Sequence, residues 1–296
     1  MLDLHTPTQL LRLESSGGAF VVEVDPVGAR IASIRPGSSN VDFLLHTPWE
    51  AEEWSGSFAA ADSSAEWHRR YPGGWHTLVP HAGQSRTLDG VEHPFHGEAA
   101  WRTWRAQEAS GASCSLEIVL RTVPLRVTRT ISVSDVGVEV TQRIENLSAR
   151  PVSFSWTEHP AFGDALIDSS ATLTVAGQSV ETRFPDAGES SAGFRTLRAD
   201  DPQDPTESGT AELCSPETGW KATLRWDATI FPYVYIWQEH RDNHGFPWWG
   251  GVNTVGIEPA SRPYEQAVGD HEPLGPLRVE GDGVFSTWLA LDLEEV

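Results

Sequence analysis

"LRVTRTISVSDVGVEVTQRIEN", Leu125 to Asn146, decides the fold. Leu125, Val127, Ile131 and Val133 fall on one side of an extended chain, and Val136, Val138, Val140 and Ile144 share a side after Ser134-Asp135. Successive side chains of a strand point to opposite faces, so two period-two runs around a short polar turn make a hairpin with one buried face. The same alternation recurs at "SLEIVLRTV", "ATLTVAG", "KATLRWD", "IFPYVYIW" and "GVFSTWLALDL". Near the start, "AFVVEVDPVGARIASIRPG" reads as two short strands around Asp25-Pro26-Val27-Gly28. Helical periodicity is confined to "FAAADSSAEWHRRY", Phe58 to Tyr71. Strands that do not alternate with helices argue against a parallel α/β sheet and for an all-β antiparallel sandwich or barrel with few short helices. "LRADDPQDPTESGTAEL", Leu197 to Leu213, reads as an exposed loop rather than a linker, because strands of the same kind follow it. Residues 1–296 are therefore expected to form a single domain.

Charge and cysteine content remove several function classes. Forty-two acidic against 21 basic residues give a formal net charge of -21, and Lys221 is the only lysine. A field of that sign repels phosphate backbones and anionic lipid, so neither nucleic acid nor a membrane surface is expected as a partner. Cys114 and Cys214 stand 100 positions apart, without the paired spacing of a disulfide framework or a zinc site. The opening "MLDLHTPTQLLRLESSGG" has no basic n-region, and no apolar run reaches the roughly 18 residues of a membrane span. A cytoplasmic protein, monomer or homodimer, is expected.

Polar residues interrupt the strands in four places. These are "RRYPGGWHTLVPHAG", "VEHPFHGEAAWRTW", "IWQEHRDNHGFPWWGGVNTVGIEPASRPYEQ" and "FSWTEHPAFG". In the last, Phe154 and Trp156 alternate with serines, and the pattern then yields to Glu158, His159 and Pro160, where the strand is expected to run out into a turn fixed by the proline. Histidine and carboxylate on separate segments are the raw material of acid–base catalysis. His93 with His96, and His240 with His244, have spacings a metal could use. Pro247 and the neighbouring glycines break the helix that the second spacing needs, so no metal is expected. The absence of G-x-S-x-G, P-loop and G-x-G-x-x-G motifs removes hydrolase-elbow, phosphate-cradle and dinucleotide readings. Thirteen tryptophans are many; some must fill the core, and those beside the polar clusters offer aromatic faces that suit the C–H faces of sugars.

Three of these segments together resemble the aldose 1-epimerase (galactose mutarotase-like) family. "PFHGEAAW" is similar to its His-Gly segment, "WTEHPAFG" to its His-Pro-x-Phe segment, and "VGIEPASRP" to its apolar-Glu-Pro segment. They run in the family's order, 63 positions from His96 to His159 and 99 from His159 to Glu258. Where the best-known members carry an Asn-Arg element, this chain has "YPGGWHTLVPHAG", which looks like a divergent bacterial branch. The resemblance implies a large antiparallel supersandwich and an enzyme that interconverts the α and β anomers of an aldose without a cofactor. By the same resemblance Glu258 is the base, His159 the acid, and His96 a partner of the ring oxygen or a neighbouring hydroxyl. Val255, Gly256 and Ile257 set Glu258 at the end of an apolar strand, where partial desolvation raises a carboxyl pKa. Trp75, Trp101, Trp237, Glu239 and Arg70 are candidates for the sugar-contacting shell.

Three alternatives stay open on sequence. Arg69-Arg70 beside Tyr71 suit a hexose 6-phosphate or another anionic sugar. A non-catalytic carbohydrate-binding protein would use the same tryptophans but needs no matched acid and base. Glycoside hydrolysis needs two carboxylates, for which Glu239 would have to join Glu258.

Overall fold

The computed structural model describes residues 9–52, 62–181, 193–199, 207–264 and 274–296. The hairpin forms as two ten-residue strands, Leu125–Ser134 and Gly137–Asn146, in antiparallel register from Gly137 opposite Ser134 to Asn146 opposite Leu125. Because Ser134 is still paired, the tip is Asp135-Val136, one residue later than the sequence pattern places it. Val136 is accordingly 63% exposed and does not join the buried row of Val138, Val140 and Ile144.

Among the described residues two large sheets carry the fold. One has nine strands, with the hairpin next to Val284–Glu295, Trp220–Asp227 and Ser208–Ser215 on one side and Ser113–Val119 and Arg105–Ala109 on the other. The second has eight, in the order Leu11–Glu14, Phe20–Asp25, Arg30–Pro36, Trp75–Leu78, Thr157–Phe162, Asn253–Ala260, Tyr233–His240 and Phe194–Arg198. Every pairing within both sheets is antiparallel. Their facing sides share one apolar core that includes Val22, Ile31, Phe43, Trp75, Val127, Ile131, Trp156, Phe162, Trp226, Val255, Ile257 and Leu289. Sheets packed face to face through interdigitated side chains define a β-sandwich.

The eight-stranded sheet is unusual in also being covered outside. Trp75–Leu78, Thr157–Phe162 and Asn253–Ala260 are buried at every residue, which one packed face alone cannot produce. A second cluster, Leu45, Trp67, Tyr71, Leu78, Phe95, Ala161, Trp248 and Val252, lies on that outer face. The helix Ser63–Arg70 brings Trp67 to it. Asp62 caps the helix by accepting from Ala65 N at 2.8 Å, Glu66 lies in its first turn, and His68, Arg69 and Arg70 lie in its last, all in accord with the helix dipole. It stops at Tyr71 because Pro72 disfavours helical backbone in the residue before it. Of the helical segment expected from sequence, Phe58 to Ala61 lie outside the described residues.

Two further expectations are corrected. Leu197-Arg198 and Ser208 to Leu213 are strand, not loop, since each pairs along a neighbour; residues 200–206 lie outside the described set. "FSWTEHPAFG" does not end in a turn either: after Val152–Phe154 the chain resumes as Thr157–Phe162, with Pro160 inside the strand opposite Trp75. Proline lacks the N–H for a ladder bond, and the pairing with Asn253–Ala260 is correspondingly interrupted between Thr157 and Ala161. No helix among the described residues is long and apolar enough to cross a membrane.

Candidate active site

Strand alternation sorts "TEHP" to two sides. Glu158 faces the sandwich core, where it is fully buried and accepts from Arg129 Nη1 at 2.7 Å, Trp75 Nε1 at 2.8 Å, Gln142 Nε2 at 2.8 Å and Trp156 Nε1 at 3.0 Å. His159 faces the outer cluster. The adjacent strand is registered with Ala260 opposite Thr157 and Gly256 opposite Ala161, which sets Glu258 beside His159. Their Oε1 and Nε2 are 3.4 Å apart, and the side chains are only 4% and 8% exposed.

Rings enclose this pair. His159 lies 5.7 Å from Tyr71, 5.7 Å from Trp237, 5.8 Å from His96 and 6.4 Å from His76, centroid to centroid. Trp248 stands 5.4 Å from Trp237 and 6.2 Å from Tyr71. His76 arrives because it is the register partner of His159 on Trp75–Leu78. His96 arrives from the loop before the 3-10 turn Glu98–Trp101, held at φ 65, a left-handed conformation that a histidine adopts only when its surroundings impose it. Gly83 supplies that constraint twice: its carbonyl accepts from His96 N at 2.9 Å, and its N–H donates to His96 Nδ1 at 3.0 Å. With Nδ1 accepting, the neutral ring carries its proton on Nε2 and is a donor there.

Burial sets the protonation. Glu258 is pushed well above the usual carboxylate range, and His159 is pushed down to about 4, both chiefly by desolvation. Both shifts favour the uncharged forms, and with Oε1 and Nε2 3.4 Å apart the pair can exchange carboxylic acid with imidazole for carboxylate with imidazolium. Desolvation also lowers His76 and His96 well below the ordinary imidazole value, the next contributions being Arg30 for His76 and His159 for His96. The result is an acid–base couple whose burial favours its uncharged forms, walled by aromatic and imidazole rings.

No family model and no curated protein sequence matches the chain. Solved structures do. A galactose mutarotase related enzyme from Lactobacillus acidophilus superposes with a TM-score of 0.72 at 13% identity, over 97% of this chain and 98% of that one. A galactose mutarotase-like protein from Lactobacillus casei gives 0.67 at 17% identity over 97% and 100%. An aldose epimerase homologue from Caenorhabditis elegans gives 0.65 at 12% identity over 98% and 100%. The chain has the galactose mutarotase fold.

On this galactose mutarotase fold the candidate trio His96, His159 and Glu258 converges at one place, although His96 and Glu258 are 162 positions apart in sequence. Trp237 lies beside it. Glu239 occupies the same face two residues further along, opposite Thr254, with its carboxyl raised to about 7 by burial and by Asp242. Trp101 sits half-buried behind Trp67 at 5.6 Å, its indole donating to Phe95 O at 2.7 Å. Arg70 and Arg69 both ion-pair with Glu66 on their own helix, which counters one of their two charges. Trp75 is the clear correction: it points into the sandwich core, fully buried and bonded to Glu158, because its neighbour His76 takes the outward position. Of the pair whose spacing would need a helix, His240 ends the strand Tyr233–His240, and its Nδ1 lies 3.0 Å from Asn253 Oδ1.

Sequence reading missed Trp67, Tyr71, His76 and Trp248 as parts of this wall. For His76 the signal was present, since either Trp75 or His76, but not both, can face outward on a strand.

Proposed function

We propose that the chain is an aldose 1-epimerase that interconverts the α and β anomers of an aldose. The observation that carries this reading is the buried His159–Glu258 couple, its Nε2 and Oε1 3.4 Å apart beside aromatic walls. Ring opening asks for a base at the anomeric hydroxyl and an acid at the ring oxygen. Glu258, as carboxylate, takes the proton from O1. The O1–H electrons form the C1–O1 double bond, the C1–O5 electrons pass to O5, and His159, as imidazolium, protonates O5. Rotation about C1–C2 and the reverse steps close the ring on the other face, leaving the couple as it began. Neutral His96 donates from Nε2 to a sugar oxygen, while Trp237 and Trp248 offer ring faces to the sugar's C–H groups.

Polarimetry of freshly dissolved α-glucose and α-galactose tests the activity directly. The pH profile tests the couple. Below His159's pKa of about 4 both groups are protonated and no base remains, whereas above the raised pKa of Glu258 both are empty and no acid remains. We expect kcat/KM to stay level through pH 6.5 and to fall on the acid side only near 4. An acid limb at the ordinary imidazole value of 6.5 would sink the assignment of His159.

Gly256 gives a second test. A Cβ there would lie 2.8 Å from Glu258 Oε1 and 3.3 Å from Trp237 Cβ. The flexible carboxylate yields before the backbone does, so Gly256→Ala should retain the wild-type melting temperature and lose on the order of 10²-fold in kcat, the cost of misplacing a reacting group. Unchanged turnover would show that the carboxylate position does not matter.

A further inference from the structure

Tyr71 is a phenol at the centre of the wall to which the acid–base steps assign no task. Its backbone is fixed on both sides: its N–H donates to Trp67 O at 2.7 Å, and its carbonyl accepts from Thr47 Oγ1 at 3.0 Å and Trp49 Nε1 at 2.9 Å. Gly73 and Gly74 follow at φ 89 and 85, and a Cβ on either would strike Leu45 O or Ile31 O, so the tight return after Pro72 belongs to the scaffold. The ring is packed 5.5 Å from His76, 5.7 Å from His159, 6.0 Å from Trp237 and 5.7 Å from Trp67. The residue is 2% exposed, yet its hydroxyl has no hydrogen-bond partner among the described residues.

Leaving a buried hydroxyl unbonded costs about 1–3 kcal/mol, and phenylalanine would fill the same space without that cost. His76 Nδ1 and His159 Nδ1, on the two imidazoles packed against the Tyr71 ring, share the condition. Buried polar groups with no protein partner, gathered at one place, mark where a polar ligand completes the bonding. Burial and, next, the charge of Glu258 hold the phenol protonated, so it is a donor and not a base.

We propose, on the mutarotase reading, that Tyr71 is a substrate-contacting catalytic residue whose hydroxyl donates a hydrogen bond to the anomeric oxygen of the sugar. Glu258 and Tyr71 serve the same oxygen. As the carboxylate draws the proton from O1, negative charge gathers there before the C1–O5 bond parts, and a fixed neutral donor stabilises it without transferring a proton of its own. The interaction is strongest in the transition state, so it acts on kcat more than on KM.

Tyr71→Phe tests this with three readouts on the full chain: polarimetric kcat and KM, sugar binding by tryptophan fluorescence, and melting temperature. We expect kcat to fall on the order of 10²-fold with a smaller change in KM, and the melting temperature to hold or rise because the lost hydroxyl had no protein partner. Equal kcat/KM in variant and wild type would overturn the role of Tyr71 and leave the mutarotase reading standing. A lower melting temperature accompanying the loss would make the hydroxyl structural and overturn it too. A wild type that binds glucose or galactose without accelerating their mutarotation removes the reaction instead. Weakened binding by Tyr71→Phe then keeps the sugar contact, and unchanged binding overturns it. A wild type that neither binds nor turns over these sugars removes both.

Discussion

Glu258→Gln should abolish mutarotation to within the roughly 10²–10⁴-fold that general acid–base catalysis supplies, and should at the same time make the protein more stable at neutral pH. The substitution keeps the shape and removes the base. Stability follows from linkage. The carboxyl titrates from 4.5 in the unfolded chain to a much higher value in the fold, where burial disfavours its charge. Between those two values the folded state binds more protons than the unfolded one, so stability declines as pH rises. Glutamine cannot ionise and escapes that decline. The gain in melting temperature should therefore be absent below pH 4.5 and grow as pH rises above it. Retained polarimetric activity would sink the catalytic assignment. A melting temperature that falls would show that the carboxylate is held by His159 as an ion pair more strongly than it is penalised by burial.

Such a trade-off is common where a fold sets its chemistry in a dry place. The strands Trp75–Leu78, Thr157–Phe162 and Asn253–Ala260 are buried on both faces, and the layer over them perturbs His76, His96, His159 and Glu258 together. A sheet wetted on its outer face would leave each group near its ordinary value. The aromatic cover is thus the cause of the acid–base couple as well as a surface for the sugar.

How much of this the sequence reveals depends on range. The hairpin was legible because its alternation is local, and the candidate trio because motif order needs no distances. Long-range features were harder. Pro160 suggested a turn, since proline lacks a ladder donor, but the flanking strands Trp75–Leu78 and Asn253–Ala260 hold it extended. Trp75 was placed on the wrong face because "GGWHTL" is too short to fix its own alternation; only pairing of His76 with His159 does so. Tyr71 carries no pattern at all, being the C-cap residue that follows a short helix and packs onto the sheet the helix covers. Arg129 and Gln142 did leave a trace: both interrupt the apolar rows of the hairpin at positions that should be buried, and they sit opposite each other in register.

That interruption points to the largest expected loss of stability. Glu158→Gln should destabilise the protein by roughly 3–5 kcal/mol, the usual result of removing one partner from a buried ion pair, and lower the melting temperature by roughly 10 °C. Arg129 and Glu158 are both fully buried, joined at 2.7 Å, with Gln142, Trp75 and Trp156 taking up the remaining carboxylate positions. Glutamine matches the volume but leaves the guanidinium without a counter-charge in the core between the sheets. The cost comes from that stranded charge and not from the value of the pair itself, so Arg129→Met added to Glu158→Gln should recover much of the loss. Turnover per folded molecule should meanwhile stay within a few-fold of wild type, because Glu158 and His159, adjacent in the chain, serve opposite faces of one strand. Calorimetry beside polarimetry separates the two quantities. A single variant as stable as wild type would show that Glu158 is not the counter-ion of Arg129. A variant that stays folded but loses turnover like Glu258→Gln would return Glu158 to the chemistry.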